Sequence, residues 1–119
     1  MRVLAIAGAF CIMAATAHAQ NCHVPLIRTL ENQTVDGYMT VKSGKRCSIV
    51  LQYSSGPTTT TQLVAAPAVG KASVSGHRIT YLPRPGYTGP DRFTYARSGQ
   101  DRFGRPTVRT VNVNVTVAP

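Results

Sequence analysis

The end of the chain constrains its fold most tightly. Val111, Val113, Val115 and Val117 alternate with Asn112, Asn114 and Thr116. Successive side chains of an extended strand point to opposite faces, so the valines share one face and the polar residues the other. This pattern describes a half-buried strand of an antiparallel sheet with one wet side. The same period recurs upstream. Phe93 and Tyr95 alternate with Arg92 and Thr94, and Ile79 and Tyr81 with Arg78 and Thr80. Cys47, Ile49, Leu51 and Tyr53 alternate with Ser48, Val50 and Gln52. Less regular strand candidates are Val24–Leu30, Tyr38–Val41, Gln62–Ala65 and Lys71–Ser75.

Beyond the first twenty residues, no stretch holds apolar residues at helical spacing for three turns. Thr (14) and Val (13) are abundant, and both favour strands. Turn signals punctuate the chain at Ser43-Gly44, Ser55-Gly56-Pro57, Ser75-Gly76, Pro85-Gly86, Gly89-Pro90 and Ser98-Gly99. About seven short strands with frequent turns predict an all-β, antiparallel β-sandwich. A closed barrel is the alternative by pattern alone. The 119 residues have room for one domain.

The opening residues read as an address. Met1-Arg2 is a short basic start, Val3 to Ala17 are almost all apolar or small, and Ala17-His18-Ala19 fits the small-x-small cleavage pattern. The expected division is a cleavable signal helix over residues 1–19 and one domain over residues 20–119. A retained membrane anchor is the alternative, but about 15 apolar residues fall short of the roughly 20 a spanning helix needs. Cys11 does not mark a lipoprotein, because Phe10 stands where a small residue is required. No later apolar run is long enough to span a membrane, so a periplasmic or secreted product is expected.

With Cys11 in the leader, Cys22 and Cys47 remain, and two cysteines in an oxidising compartment are expected to pair. Cys47 shares a strand face with Ile49 and Leu51, and Cys22 would share one with Val24 and Leu26, so both sulfurs would point inward. Closing that loop is worth roughly 3–4 kcal/mol on the chain-entropy account. The alternative is a redox or metal pair, but no Cys-x-x-Cys is present.

From Gly76 onward the chain reads Gly76-His77-Arg78-Ile79-Thr80-Tyr81-Leu82-Pro83. It then runs Pro85-Gly86-Tyr87-Thr88-Gly89-Pro90-Asp91-Arg92-Phe93-Thr94-Tyr95, before the valine-rich final strand. This half resembles the bacterial immunoglobulin-like and cadherin-like repeat domains of surface proteins. Those end in a Tyr-x-Pro strand end, a Pro-Gly-aromatic-x-Gly-x-Asp-x-Phe-x-Tyr stretch and a Val/Thr-rich strand. The resemblance implies an immunoglobulin-like sandwich in which Pro85, Gly86, Tyr87, Gly89, Asp91, Phe93 and Tyr95 are structural. Pro85-Gly86 and Gly89-Pro90 would bend the chain, Asp91 would accept backbone N–H groups of that loop, and Phe93 and Tyr95 would enter the core. Such domains serve as spacers, adhesive modules or appendages.

A reaction is harder to find. Glu31, Asp36, Asp91 and Asp101 are the only acids. They are too few and too scattered for a calcium cage or a glycosidase pair. No Gly-x-Ser-x-Gly elbow and no phosphate-cradling glycine loop is present. Cys22, His23, Cys47 and His77 have ligand chemistry for zinc or copper, but no recognisable spacing, and a disulfide would remove two of them. The expectation is no enzyme, no metal and no cofactor.

Charge is the remaining signal. Thirteen Lys and Arg give a formal charge of +9. Arg97, Arg102, Arg105 and Arg109 fall around the hairpin joining the last two strands, with Phe103 among them. Guanidinium groups suit bidentate contacts to phosphate, sulfate and carboxylate. For an exported protein the expected partners are an anionic glycan, lipopolysaccharide or an envelope protein, not nucleic acid. The bland reading is a solvated basic surface. The functional expectation is a non-enzymatic module with a structural, adhesive or binding role at the bacterial cell envelope. The alternatives are polyanion binding through the basic hairpin, and a small enzyme inhibitor presenting the Ser54–Thr61 loop.

Overall fold

The computed structural model describes residues 21–51 and 58–119. The expected leader, Tyr53 and residues 54–57 of the Ser54–Thr61 loop lie outside the described residues, and the other half of that loop, Thr58–Thr61, is strand. Eight strands follow in order: β1 (Cys22–His23), β2 (Thr34–Lys42), β3 (Cys47–Val50), β4 (Thr58–Ala65), β5 (Lys71–Ser75), β6 (Arg78–Leu82), β7 (Gly89–Gln100) and β8 (Pro106–Ala118). They form two sheets, one of five strands in the order β1-β2-β8-β7-β4 and one of three in the order β3-β6-β5. A two-sheet, all-β sandwich is the predicted fold class. One pairing departs from the antiparallel expectation. β2 runs parallel to β8, from Thr34 opposite Thr110 to Lys42 opposite Ala118.

The alternation places the core where the sequence implies. Val111, Val113, Val115 and Val117 are buried on the inner face of β8, with Phe93 and Tyr95 beside them on β7. Ile79 and Tyr81 face them from β6, and Cys47, Ile49 and Leu51 from β3 and its end. The Tyr81 ring lies nearly parallel to Phe93, with centroids 5.8 Å apart and an interplanar angle of 9°. That stack joins the two sheets. On the outer face of the five-stranded sheet, Thr94 Oγ1 and Asn112 Oδ1 are hydrogen-bonded at 2.7 Å, so the wet side has its own polar contacts.

Several local expectations change. Val24–Leu30 is not a strand. Pro25 has no N–H to give a ladder. Leu26, expected inward with Cys22, is 74 % exposed, while Val24 and Ile27 turn toward the core instead. The strand near Tyr38–Val41 is longer, because Gly37 hides its alternation. Gly37 occupies an inward position, and a Cβ there would sit 2.8 Å from Ile27 Cδ1, so the missing side chain makes room for Ile27. Gly89 and Pro90 do not bend the chain but open β7, where Pro90 pairs with Thr116. Ser98 and Gly99 also lie within β7. The hairpin turns at Asp101, whose Oδ1 accepts from the Phe103 and Arg105 amides, with Gly104 at φ 78°.

The Cys22–Cys47 disulfide is present, with the Cα atoms 5.0 Å apart. Because β1 belongs to the larger sheet and β3 to the smaller, it fastens one sheet to the other. Reducing it frees a loop of separation 25. A melting curve with and without reductant is expected to show a Tm lower by about 10 °C or more after reduction.

Candidate functional site

Asp91 accepts five hydrogen bonds among the described residues. It sits on the inner face of β7, buried beside the core, where a lone charge would be costly. Its Oδ1 accepts from the amides of Ala68, Val69 and Arg92, and its Oδ2 from the Gly70 amide at 2.8 Å and the Tyr81 hydroxyl at 2.6 Å. The loop it holds is therefore the β4–β5 connection, not the Pro85–Pro90 loop expected from the sequence. Gly70 is required for this approach, since a Cβ there would lie 2.6 Å from the Leu82 carbonyl oxygen and 2.7 Å from the Tyr81 ring. Burial raises the Asp91 pKa, but the hydrogen bonds from Tyr81 and from the Gly70, Arg92 and Val69 amides outweigh it and hold the carboxyl below its usual range. Tyr81 is driven upward by burial and by its bond to Asp91. These groups brace the sandwich.

The rest of the Pro85–Tyr95 motif is also structural. The Tyr87 amide donates to the Arg84 carbonyl at 3.0 Å across Pro85 and Gly86, and Gly86 has φ 79°. Proline followed by a positive-φ glycine suits a tight turn of this kind. The Tyr87 hydroxyl donates to the Pro90 carbonyl, and the Ser43 hydroxyl to the Tyr87 carbonyl.

The four hairpin arginines do not form one cluster. Arg102 and Arg105 lie in the turn, with their guanidinium carbons 5.6 and 5.7 Å from the Phe103 ring centroid. Phe103 is 74 % exposed, so the hairpin ends in an aromatic ring flanked by two cations. Arg97 and Arg109 lie deeper, directly opposite each other on β7 and β8. They occupy the inward positions that follow Tyr95 and precede Val111. Burial lowers the Arg97 pKa, Tyr95 opposes that shift, and Arg109 lowers it further. Burial also pushes the Tyr95 hydroxyl up to about 12, against the pull of Arg97. Glu31 reaches Arg109 at 4.0 Å.

Arg97 and Arg109 line a groove of about 490 Å³ together with Tyr95, the Val24–Thr29 segment and Ile49–Leu51. The sequence reading missed this groove because it depends on residues far apart in the chain. The interruption of apolar alternation at Arg97 and Arg109 was the available signal. Cys22 and Cys47, considered as metal ligands, are bonded to each other.

With this geometry established, comparison with known proteins places the chain in a family. Residues 24–116 match the bacterial Ig domain family, and the chain belongs to it. No curated protein matches the sequence. The disulfide joining β1 to β3 differs in position from the B–F bridge of antibody domains.

The Asp91 hub leads to a prediction about acid. Its folded pKa lies below the ordinary 3.8, so its contribution is complete above that value and is lost as pH falls through the folded value. Asp91→Asn is expected to cost about 3 kcal/mol at neutral pH. In melting curves from pH 7 to 2, the gap between wild type and variant should narrow at the acid end.

Proposed function

We propose that this chain is an exported, non-enzymatic Ig module of the bacterial cell envelope. In this reading it has a structural or adhesive role and holds an anionic glycan or lipopolysaccharide through the β7–β8 turn. The observation that carries the contact is Phe103 exposed between Arg102 and Arg105. A ring with guanidinium groups beside it offers both a stacking face and charge-assisted donors to a phosphorylated or sulfated sugar. Without Arg2 of the leader the exported chain keeps 12 Lys and Arg against 4 acids, a net +8 that favours the encounter. Export is supported by the apolar opening run ending in Ala17-His18-Ala19 and by the disulfide, which an oxidising compartment preserves. A non-enzymatic role is supported by the family and by the structural use of Asp91.

Binding to immobilised heparin and to lipopolysaccharide, measured over a range of salt concentrations, tests this reading. Affinity should fall steeply as salt rises, because bound counterions are released on association. The Arg102→Ala/Arg105→Ala double variant should bind about tenfold more weakly or worse, with Tm essentially unchanged because both residues sit in an exposed turn. Equal binding by the variant, or no wild-type binding at low salt, contradicts the reading.

A further inference from the structure

The groove at Arg97 and Arg109 is separate from the hairpin turn, and its composition is unusual for the inner face of a sandwich. β7 and β8 present Phe93, Tyr95, Val113 and Val111 inward, and the next inward pair is Arg97 opposite Arg109. Like charges directly opposite across a ladder repel, and partial burial sharpens the repulsion. Arg97 is 9 % exposed, and the Arg109 side chain 21 %. The described residues lining the groove include Arg28, Arg97 and Arg109 but no acid. Glu31 approaches Arg109 only at 4.0 Å and is itself half exposed.

The walls have the opposite character. Leu26, Ile27, Val50 and Leu51 line them, and Leu26 and Val50 are 74 % and 61 % exposed. Apolar walls therefore rise from a cationic floor. The volume of about 490 Å³ is in the range of small-molecule sites.

We propose that this groove binds a small amphipathic anion, with a carboxylate or phosphate head on Arg97 and Arg109 and an aliphatic body along Leu26, Ile27, Val50 and Leu51. The head relieves the repulsion between the two guanidinium groups, and the body covers Leu26 and Val50, which water otherwise meets. A polar anion would leave the walls wet, and a neutral alkane would offer the guanidinium groups no acceptor. This inference does not depend on the polyanion reading.

Calorimetric titration of the purified protein tests it with octanoate and octyl phosphate. Acetate, inorganic phosphate and 1-octanol serve as half-ligands. At least one of the two amphiphiles should bind saturably, and the one that binds identifies the preferred head. Its half-ligands should bind at least about tenfold more weakly. Arg109→Met, which keeps the stem and removes the charge, should weaken amphiphile binding about tenfold while leaving Tm equal or higher. Lys45→Ala, which removes the same charge in the β2–β3 turn, should leave binding unchanged. Leu26→Ser, at an exposed rim position, should weaken the amphiphile but not its head group alone, and this holds even if Arg109→Met fails to fold. Binding of 1-octanol as tight as that of both amphiphiles overturns the proposal. So does unchanged affinity in Arg109→Met or Leu26→Ser, or the absence of saturable binding by either amphiphile.

Discussion

The two sheets differ in length, and much of the molecule follows from that mismatch. β7 and β8 span 12 and 13 residues, whereas β3, β6 and β5 span 4, 5 and 5. A sandwich core extends only as far as both sheets face each other. Within that overlap, inward positions are Val, Ile, Phe and Tyr. Toward its edge the same inward face of β7 and β8 continues past Tyr95 and Val111 to Arg97 and Arg109, which meet only the end of β3 among the described strands of the smaller sheet. The Val24–Thr29 segment joins the end of β3 in facing them, and an open groove results. At the far end of the extension the chain turns at Asp101, exposing Phe103 with its two arginines.

The overlap itself is held by a few specific contacts in addition to apolar burial. The disulfide fastens β1 to β3 at one side of the sandwich. Asp91 ties β7 to β6 through Tyr81 and gathers the amides of the β4–β5 loop. A buried carboxylate is stable when its oxygens receive several donors, and four backbone amides with one hydroxyl meet that need. In a chain with four acids, this one is occupied in bracing the fold. The cations of the proposed contacts lie at the other end of β7.

The fold was legible in the sequence because period-2 alternation survives almost unbroken in β6, β7 and β8. The burial of Phe93 and Tyr95 was legible for the same reason, whereas the pairing of Cys22 with Cys47 was legible from the count of two cysteines outside the expected leader. β2 was only partly visible, since Gly37 offers no side chain to a pattern and its space is filled by Ile27 from elsewhere. The parallel alignment of β2 with β8 joins segments about 75 residues apart, a long-range pairing that local propensity does not encode. Glycine and proline misled where they serve strands: Gly89 and Pro90 open β7, and Gly99 lies inside it. The arginines were visible as a group along the chain, but the β-pleat divides them. Arg97 and Arg109 face inward, while Arg102 and Arg105 belong to the turn.

The module is polarised: a braced core lies at one end of the long strands and an arginine-rich end, proposed to meet anions, at the other. Mapping backbone amide shifts during titration with a short sulfated oligosaccharide tests that polarity most directly. The account predicts changes concentrated in residues 97–109, about the Phe103 turn. Equal changes at Lys42, Lys45, Arg46 and Lys71, which lie toward the opposite end of the sheets, would contradict it and leave only a uniformly basic surface.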